Sequence, residues 1–328
     1  MVDLSIPESS GEIKVEETWF DTADAAKIFL RRWIPQGEKR AVLHIVHGMA
    51  EHGLRYDRFA RRLCAQGIEV WAADQRGHGR TADLTVNKRD RGGLLGHSGD
   101  PDGIALVQRD IHAINTRIKA AHTEIPLFLL GHSWGSFLAQ YYIEEHSRSI
   151  SGCILSGTRG PGGLIITLGA PVMALIALLR GSRRGSKLAR AFADGPYSKP
   201  FKPNRTSFDW LSRDKKEVDA YIDDPVSGML CSSGFYRDIT ALLNTIHRPS
   251  RMEAIRKDLP VYVFAGNSDP VGDMGNSPTA LVDAYRALGI TDLEFVLYPG
   301  ARHETLNETN RDEVMEDCIA WLDKHIET

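Results

Sequence analysis

Cysteine is scarce and scattered. The four thiols, Cys64, Cys153, Cys231 and Cys318, lie far apart. They form no CxxC and no plausible zinc spacing, which removes a disulfide framework and a thiolate metal centre from consideration. A reduced, cytoplasmic setting is expected. Charge of one sign is also lacking: 40 Lys and Arg face 43 Asp and Glu, for a net charge of -3. The basic residues are spread along the chain, so no nucleic-acid partner is expected. The densest basic stretch, LLRGSRRGSKLAR around Arg180 to Arg190, reads as a solvated loop, with attraction to anionic lipid as its alternative. The start, MVDLSIPESSGEIKVEE, is acidic and polar and has neither the basic start nor the apolar middle of a secretory leader. Long uncharged runs are absent except for Gly160 to Leu179. That run is about long enough to span a bilayer, but its Gly- and Pro-rich opening and Pro171 argue against a membrane helix. No internal repeat or low-complexity tract occurs.

What is present is the composition of a large globular core, 42% hydrophobic and 25% charged over 328 residues. EIKVEETWF and AKIFLRRWIP alternate at period two and predict an antiparallel strand pair. Short apolar runs then alternate with helical patterns: AVLHIVHG, IEVWAAD, PLFLLGH and ISGCILSG as strands, RYDRFARRLCAQG, DGIALVQRDIHAINTRIKAAH and SWGSFLAQYYIEEH as helices. Near Thr158 the alternation stops for about ninety residues rich in Gly, Pro and helical patterns. It resumes at LPVYVFAGNSDP and runs through PTALVDAYRALG and LEFVLYP to NRDEVMEDCIAWLDKHI. The fold class is therefore α/β: a mostly parallel sheet flanked by helices. The core comprises residues 1–157 and 250–328, and residues 158–249 form a helical cap over one end of the sheet. Ligands in such sheets bind at the carboxyl ends of the strands.

Two stretches begin LLGHS, one at Leu94 and one at Leu129. In the second, Gly131-His132-Ser133-Trp134-Gly135 satisfies G-x-S-x-G between a strand and a helix. Such a turn holds the serine at positive φ, pushes its side chain out above the sheet and demands small flanking residues. In the first, Ser98 lacks the second glycine. A charged, Gly-rich segment precedes it and Asp100-Pro101-Asp102, a turn and helix-cap sequence, follows. Ser133 is the expected nucleophile and Ser98 a loop residue.

A serine needs a base, and the base needs an orienting carboxylate. In this order of elements the acid follows the serine and the histidine comes last. His303, after Pro299-Gly300, fits the base. His325, the only later histidine, reads as a surface residue of the terminal helix. Asp269 fits the acid, with Asp273 and Asp292 as runners-up in surface turns. One oxyanion donor is the N–H of Trp134; Met49, just after His47-Gly48, is the natural second. His47, Glu51 and His52 read as a buried hydrogen-bonding scaffold, and the Asp74 to Gly79 turn as a buttress for the nucleophile loop. HGMAEH is not HExxH, so no metal is expected.

The motifs HGMAEHGLRY, ADQRGHGRT, LLGHSWGS, FDWLSRDKKEVDAYIDDPVSG, NSDPVG and GARHETLNE together resemble the α/β-hydrolase superfamily. Within it they resemble the monoacylglycerol lipase and lysophospholipase-like branch, the serine aminopeptidase S33-type hydrolases. They run from about His47 to Asn307. The resemblance implies the α/β-hydrolase fold, with an eight-stranded sheet and the cap inserted after strand 6. It also implies Ser133, Asp269 and His303 as the triad, Met49 and Trp134 as oxyanion donors, and no cofactor. Two departures stand out. Trp134 and Gly135-Ser136 replace the Met and Gly-Gly common after the nucleophile, so the indole is expected to reshape the acyl pocket. The loop from Leu84 to Asp102 is long, which puts the rim of the site in question.

The implied activity is hydrolysis of fatty-acyl esters of the monoacylglycerol or lysophospholipid type. The uncharged cap segment Leu164–Leu179 would line the acyl site or rest on a membrane surface; packing on the core or at a dimer interface is its plainer reading. Cys231 reads as a buried structural thiol. The alternatives on this fold are an amidase, an aminopeptidase using cap carboxylates such as Asp219, Asp223 and Asp224, and a C–C hydrolase. A catalytically silent binding protein would normally lack one of the three side chains. The partner expected is a small acyl ester, with oligomeric state left open.

Overall fold

The structure is a computed structural model that describes residues 13–162 and 164–326. Eight strands occur in chain order: β1 Lys14–Asp21, β2 Lys27–Ile34, β3 Ala41–Val46, β4 Ile68–Asp74, β5 Leu127–His132, β6 Gly152–Ser156, β7 Val261–Gly266 and β8 Leu293–Tyr298. They form one sheet in the order β1-β2-β4-β3-β5-β6-β7-β8. β1 pairs antiparallel with β2 and β2 with β4; every later pairing is parallel. The period-two alternation of the first two strands matches that hairpin, where Glu17 stands opposite Arg31.

The central strands are buried on both faces, so their sequences read as unbroken apolar runs. Successive residues still point to opposite sides. Leu43 and Ile45, Phe128 and Leu130, Ile154, and Tyr262 and Phe264 pack on one side. The helices α1 (Asp57–Cys64) and, at the end of the chain, residues Arg311–Ile326 cover that side with Phe59, Leu63, Met315 and Leu322. Val42, Leu129, Cys153, Leu155, Val261 and Val263 face the other side. There α2 (Gly103–Ala121) and α3 (Trp134–His146) supply Ile111, Ile114, Leu138 and Tyr142, and the helix after β7 supplies Leu281 and Tyr285.

Between β6 and β7 lie α4 (Leu164–Arg180), α5 (Lys187–Ala193), α6 (Lys215–Asp223), α7 (Ser233–Ile246) and the short α8 (Pro249–Met252). After β7 come α9 (Asn276–Ala287) and α10 (Arg311–Ile326). α4 packs along α7 and buries Met173, Ile176 and Ala177. Leu175, Leu178 and Leu179 on its other side are exposed. Of the segment Leu164–Leu179, the side chains of residues 164–168 lie outside those described, as does the polar start, residues 1–12. Pro171 was expected to interrupt this segment, but α4 runs through it. A proline removes one N–H and crowds one carbonyl, which a helix held by side-chain packing tolerates. No described helix is long and apolar enough to cross a membrane.

His325 is a second correction. It is buried, not at the surface: Nδ1 lies 2.7 Å from the Trp321 carbonyl and Nε2 lies 3.0 Å from Asp292 Oδ2. The Asp292 turn thus serves the end of α10.

Leu129, fully buried at the centre of the sheet, and Leu178, 80% exposed on α4, separate core from surface. Leu129→Ala is expected to cost about 2–5 kcal/mol in urea denaturation, and Leu178→Ser to stay within about 0.5 kcal/mol.

Candidate active site

The turn from β5 into α3 is set by close backbone approach. A Cβ on Gly131 would stand 2.3 Å from the Gly135 carbonyl oxygen, and one on Gly135 would stand 2.0 Å from the Val46 oxygen. Only glycine lets strand, turn and helix meet at this distance. Between them Ser133 adopts φ 51°. Its N–H donates to the Ser156 carbonyl at 2.9 Å, which locks the turn to β6. The strained conformation is held from both sides, and the side chain leaves the sheet at the strands' carboxyl ends.

His303 arrives from the loop after β8 and Asp269 from the loop after β7. The Ser133 hydroxyl lies 2.8 Å from His303 Nε2, and His303 Nδ1–H donates to Asp269 Oδ2 at 2.9 Å. Asp269 Oδ1 accepts the Val271 N–H at 2.8 Å, so both carboxylate oxygens are engaged. Asp269 and His303 are buried. Burial alone would disfavour the imidazolium. The Asp269 carboxylate outweighs it, and the pKa of His303 lies above the ordinary 6.5. The neighbouring His132, ring centre 4.9 Å from that of His303, is pushed down to about 4 by burial and then by His303, and stays neutral.

The Met49 and Trp134 N–H groups find no protein acceptor among the described residues. Both residues and Ser133 line one cavity of about 300 Å³. Its walls are mainly apolar and include Phe137, Val172, Met173 and Leu243. A second, smaller and more polar cavity adjoins Ser133, with Gly48, Glu51, His132, Tyr221 and Glu304 in its walls. Trp134 stacks on His78 at 5.1 Å and meets Phe235 edge-on at 4.8 Å. The indole therefore forms a wall of the larger cavity, and His78 of the RGHG turn supports it from behind.

Sequence reasoning named Glu51 but missed what it joins. Its carboxylate accepts from the Gly48 N–H, from the Tyr56 hydroxyl at 2.8 Å and from Arg55 at 2.8 Å. Arg55 in turn makes a two-pronged pair with Glu304 at 2.6 and 2.7 Å. Burial opposes the Glu51 charge, but the Arg55 guanidinium holds its carboxyl below the usual carboxylate range. The Met49 loop is thereby tied to the loop that carries His303. The Arg-Tyr of HGLRY and the Glu after His303 were the available signals. Nearby, His47 accepts the Gln75 N–H at 2.9 Å, and Asp74 accepts the N–H groups of Gly53 and Arg80 at 3.0 and 2.8 Å. His47 fits the expected hydrogen-bonding scaffold, while Asp74 ties its turn to the loop after β3, and the contact with the nucleophile turn is made by His78 on Trp134.

Ser98 lines neither cavity, and its buried hydroxyl has no partner among the described residues. Its neighbour His97 stands between Ser232 Oγ at 2.9 Å and Asp100 Oδ2 at 3.1 Å, a second serine–histidine–aspartate chain. There the Ser232 hydroxyl caps α7 by accepting the Phe235 N–H at 3.1 Å, so this chain ties the long Leu84–Asp102 loop to α7. That loop contributes to neither cavity and does not form the rim. Asp273 sits in a left-handed turn, φ 51°, without contacting His303. Cys231 is buried, and burial pushes its thiol up. Asp219 pairs with Arg205, Asp224 accepts from His52, and neither they nor Asp223 line the cavities.

The profile of the family described as serine aminopeptidase, S33, matches residues 37–310. The chain belongs to this family. Within it, the chain is an α/β-hydrolase of the monoacylglycerol lipase and lysophospholipase type. It is similar to the monoacylglycerol lipase of Mycolicibacterium smegmatis, with 29% identity covering 90% of this chain and 92% of that protein. The monoglyceride lipase of Rattus norvegicus is 27% identical, over 93% and 89% of the two chains. Among solved structures, a thermostable carboxyl esterase from Bacillus coagulans in complex with glycerol superposes with a TM-score of 0.86 at 26% identity, covering 95% and 99% of the chains. A soluble variant of the Saccharomyces cerevisiae monoglyceride lipase shares the fold, with a TM-score of 0.72 at 23% identity over 98% and 99%. In this S33-family chain the glycine approach explains one half of the GHSxG motif, and the Glu51–Arg55–Glu304 cluster explains HGxxEHxxRY.

Gly135→Ala has no room to relax without moving β3 or α3. It is expected to cost about 3 kcal/mol or more, read as a fall in the urea midpoint.

Proposed function

We propose that the chain is a serine carboxylic-ester hydrolase acting on fatty-acyl esters of the monoacylglycerol or lysophospholipid type. The observation that carries this reading is the unbroken Ser133–His303–Asp269 hydrogen-bond chain at the mouth of a mainly apolar cavity of about 300 Å³. The related monoacylglycerol and monoglyceride lipases support the substrate class.

Ser133 Oγ attacks the ester carbonyl carbon while His303 Nε2 takes the hydroxyl proton. Asp269 holds the ring by Nδ1 and stabilises the cation. Negative charge gathers on the carbonyl oxygen, toward the Met49 and Trp134 N–H groups. Collapse of the tetrahedral species breaks the bond to the alcohol oxygen, which leaves with the proton from His303. Water, deprotonated by the same imidazole, then attacks the acyl-enzyme and releases the fatty acid. The acyl chain occupies the apolar cavity, where each buried CH₂ contributes about 0.8 kcal/mol. The alcohol occupies the smaller polar one. Residues 158–249 act as the cap that supplies most of the apolar wall. Exposed Leu175, Leu178, Leu179 and Phe192, close in sequence to Arg180, Arg183 and Arg184, suit peripheral contact with an anionic lipid surface.

Ser133→Ala is expected to lower turnover of p-nitrophenyl acyl esters by several orders of magnitude, while Ser98→Ala stays within about twofold. Full turnover by Ser133→Ala would defeat the assignment.

His303 must be neutral to accept the proton, and its pKa is raised, so activity is lost as pH falls through a value above 6.5. A pH profile of kcat/KM is expected to show that limb, and Asp269→Asn to move it to lower pH while cutting kcat.

A further inference from the structure

The larger cavity holds a cation that no carboxylate neutralises. Arg159 follows β6 closely and belongs to the wall of this cavity, not to that of the smaller polar one. Its backbone is fixed against the nucleophile helix. Gln140 Nε2 donates to the Arg159 carbonyl and to Thr158 Oγ1, both at 2.8 Å, and Ser136 Oγ lies 2.8 Å from Thr158 Oγ1. Among the described residues Arg159 makes no ion pair, and its Nε is buried without a hydrogen-bond partner. Asp194, on the same wall, pairs instead with Arg190 at 3.4 Å. The Tyr197 hydroxyl bonds to Arg159, but burial raises its pKa, so it stays neutral and supplies no countercharge. Trp134, also in the wall, carries a second such donor: its Nε1 is buried and has no acceptor among the described residues.

A guanidinium is a permanent cation that only donates hydrogen bonds. Set in a mainly apolar wall without an anion, it bears the cost of an unpaired charge and of an unpaired donor. A plain alkyl chain in the cavity would leave that cost in place. An anion would remove it through charge-assisted hydrogen bonds. We propose that Arg159 reads the far end of the acyl arm: the substrate's acyl group ends in a carboxylate, as in a half-ester of a dicarboxylic acid, with the ester carbonyl at Ser133 and the free carboxylate on the Arg159 guanidinium. The anion belongs to the acyl arm and not to the alcohol, because Arg159 lines the cavity that takes the acyl chain and has no part in the smaller one. Phe137, Met173, Ile239 and Leu243 in the same wall suit the methylene spacer between the two ends. The inference rests on the ester-hydrolase reading and adds to it the class of acyl group.

The test compares kcat/KM for methyl half-esters of straight-chain dicarboxylic acids, from succinic to sebacic, with that for methyl esters of monocarboxylic acids of the same carbon number. The native chain is expected to prefer the half-ester at the spacer length that sets its carboxylate on Arg159, and to lose that preference at shorter lengths. At the preferred length the half-ester-to-neutral ratio is expected to fall about tenfold or more in Arg159→Gln, and Arg159→Leu reads the same ratio should the glutamine variant not fold. Arg159→Lys keeps the charge and is expected to hold a ratio above that of Arg159→Gln, which a merely structural role would not require. A ratio that moves less than about twofold in the Gln and Leu variants would overturn the inference. So would a native chain that favours no half-ester at any length, or an Arg159→Lys ratio no higher than that of Arg159→Gln. Acyl esters of glycolic acid, which carry the carboxylate on the alcohol, serve as the second arm; a native preference for these that is lost in Arg159→Gln would move the anion to the alcohol and overturn the acyl assignment. If the native chain turns over none of these esters, the ester-hydrolase reading itself fails; turnover of the neutral esters with an unmoved ratio fails only the assignment of Arg159.

Discussion

The contact on which the site depends is the approach of backbone to backbone at Gly131 and Gly135. With 2.3 and 2.0 Å between a hypothetical Cβ and the nearest carbonyl oxygens, no other residue fits either position. That approach lets β5 turn directly into α3 and holds Ser133 at positive φ. From this one constraint follow the outward hydroxyl, the free N–H of Trp134 at the helix start, and the place where His303 has to stand. Local strain is repaid by the sheet, whose central strands are buried on both faces.

A second level of organisation is electrostatic. Glu51, Arg55 and Glu304 form a buried cluster that joins the loop after β3 to the loop after β8. Buried ion pairs contribute little net stability but are costly to break one member at a time. Here the cluster fixes the distance between the loop carrying Met49 and the loop carrying His303. The contrast with His97 is instructive. Its ring bridges a serine and an aspartate at 2.9 and 3.1 Å, much as His303 does. Yet Ser232 accepts the Phe235 N–H as the cap of α7, and it lines neither of the two cavities beside Ser133. Residue types at hydrogen-bonding distance do not make a reactive centre; an open cavity and unclaimed donors are needed as well.

Much of this was legible along the chain. Period-two and unbroken apolar runs mark the strands, and the chain order of serine, aspartate and histidine points to Ser133, Asp269 and His303 because each ends a strand or follows one closely. What stayed hidden depends on contacts between distant segments. Arg55 meets Glu304 across 249 positions, and neither residue announces it. His325 reads as solvated on a helical wheel, but Trp321 and Asp292 enclose it. Pro171 reads as a break, yet packing on α7 carries α4 through it. Asp194 belongs to no motif, and only the folded chain turns it toward the cavities. Propensity and pattern report on neighbours in sequence, and these four positions are decided by neighbours in space.

The central claim is that Ser133, and no other serine, is the activated nucleophile. The most direct measurement is reaction of the folded chain with a fluorophosphonate, followed by intact mass and peptide mapping. One adduct per chain, on the peptide carrying Ser133 and lost in Ser133→Ala, is the predicted result. No adduct, or an adduct on Ser98 or Ser232 in the native chain, would contradict it.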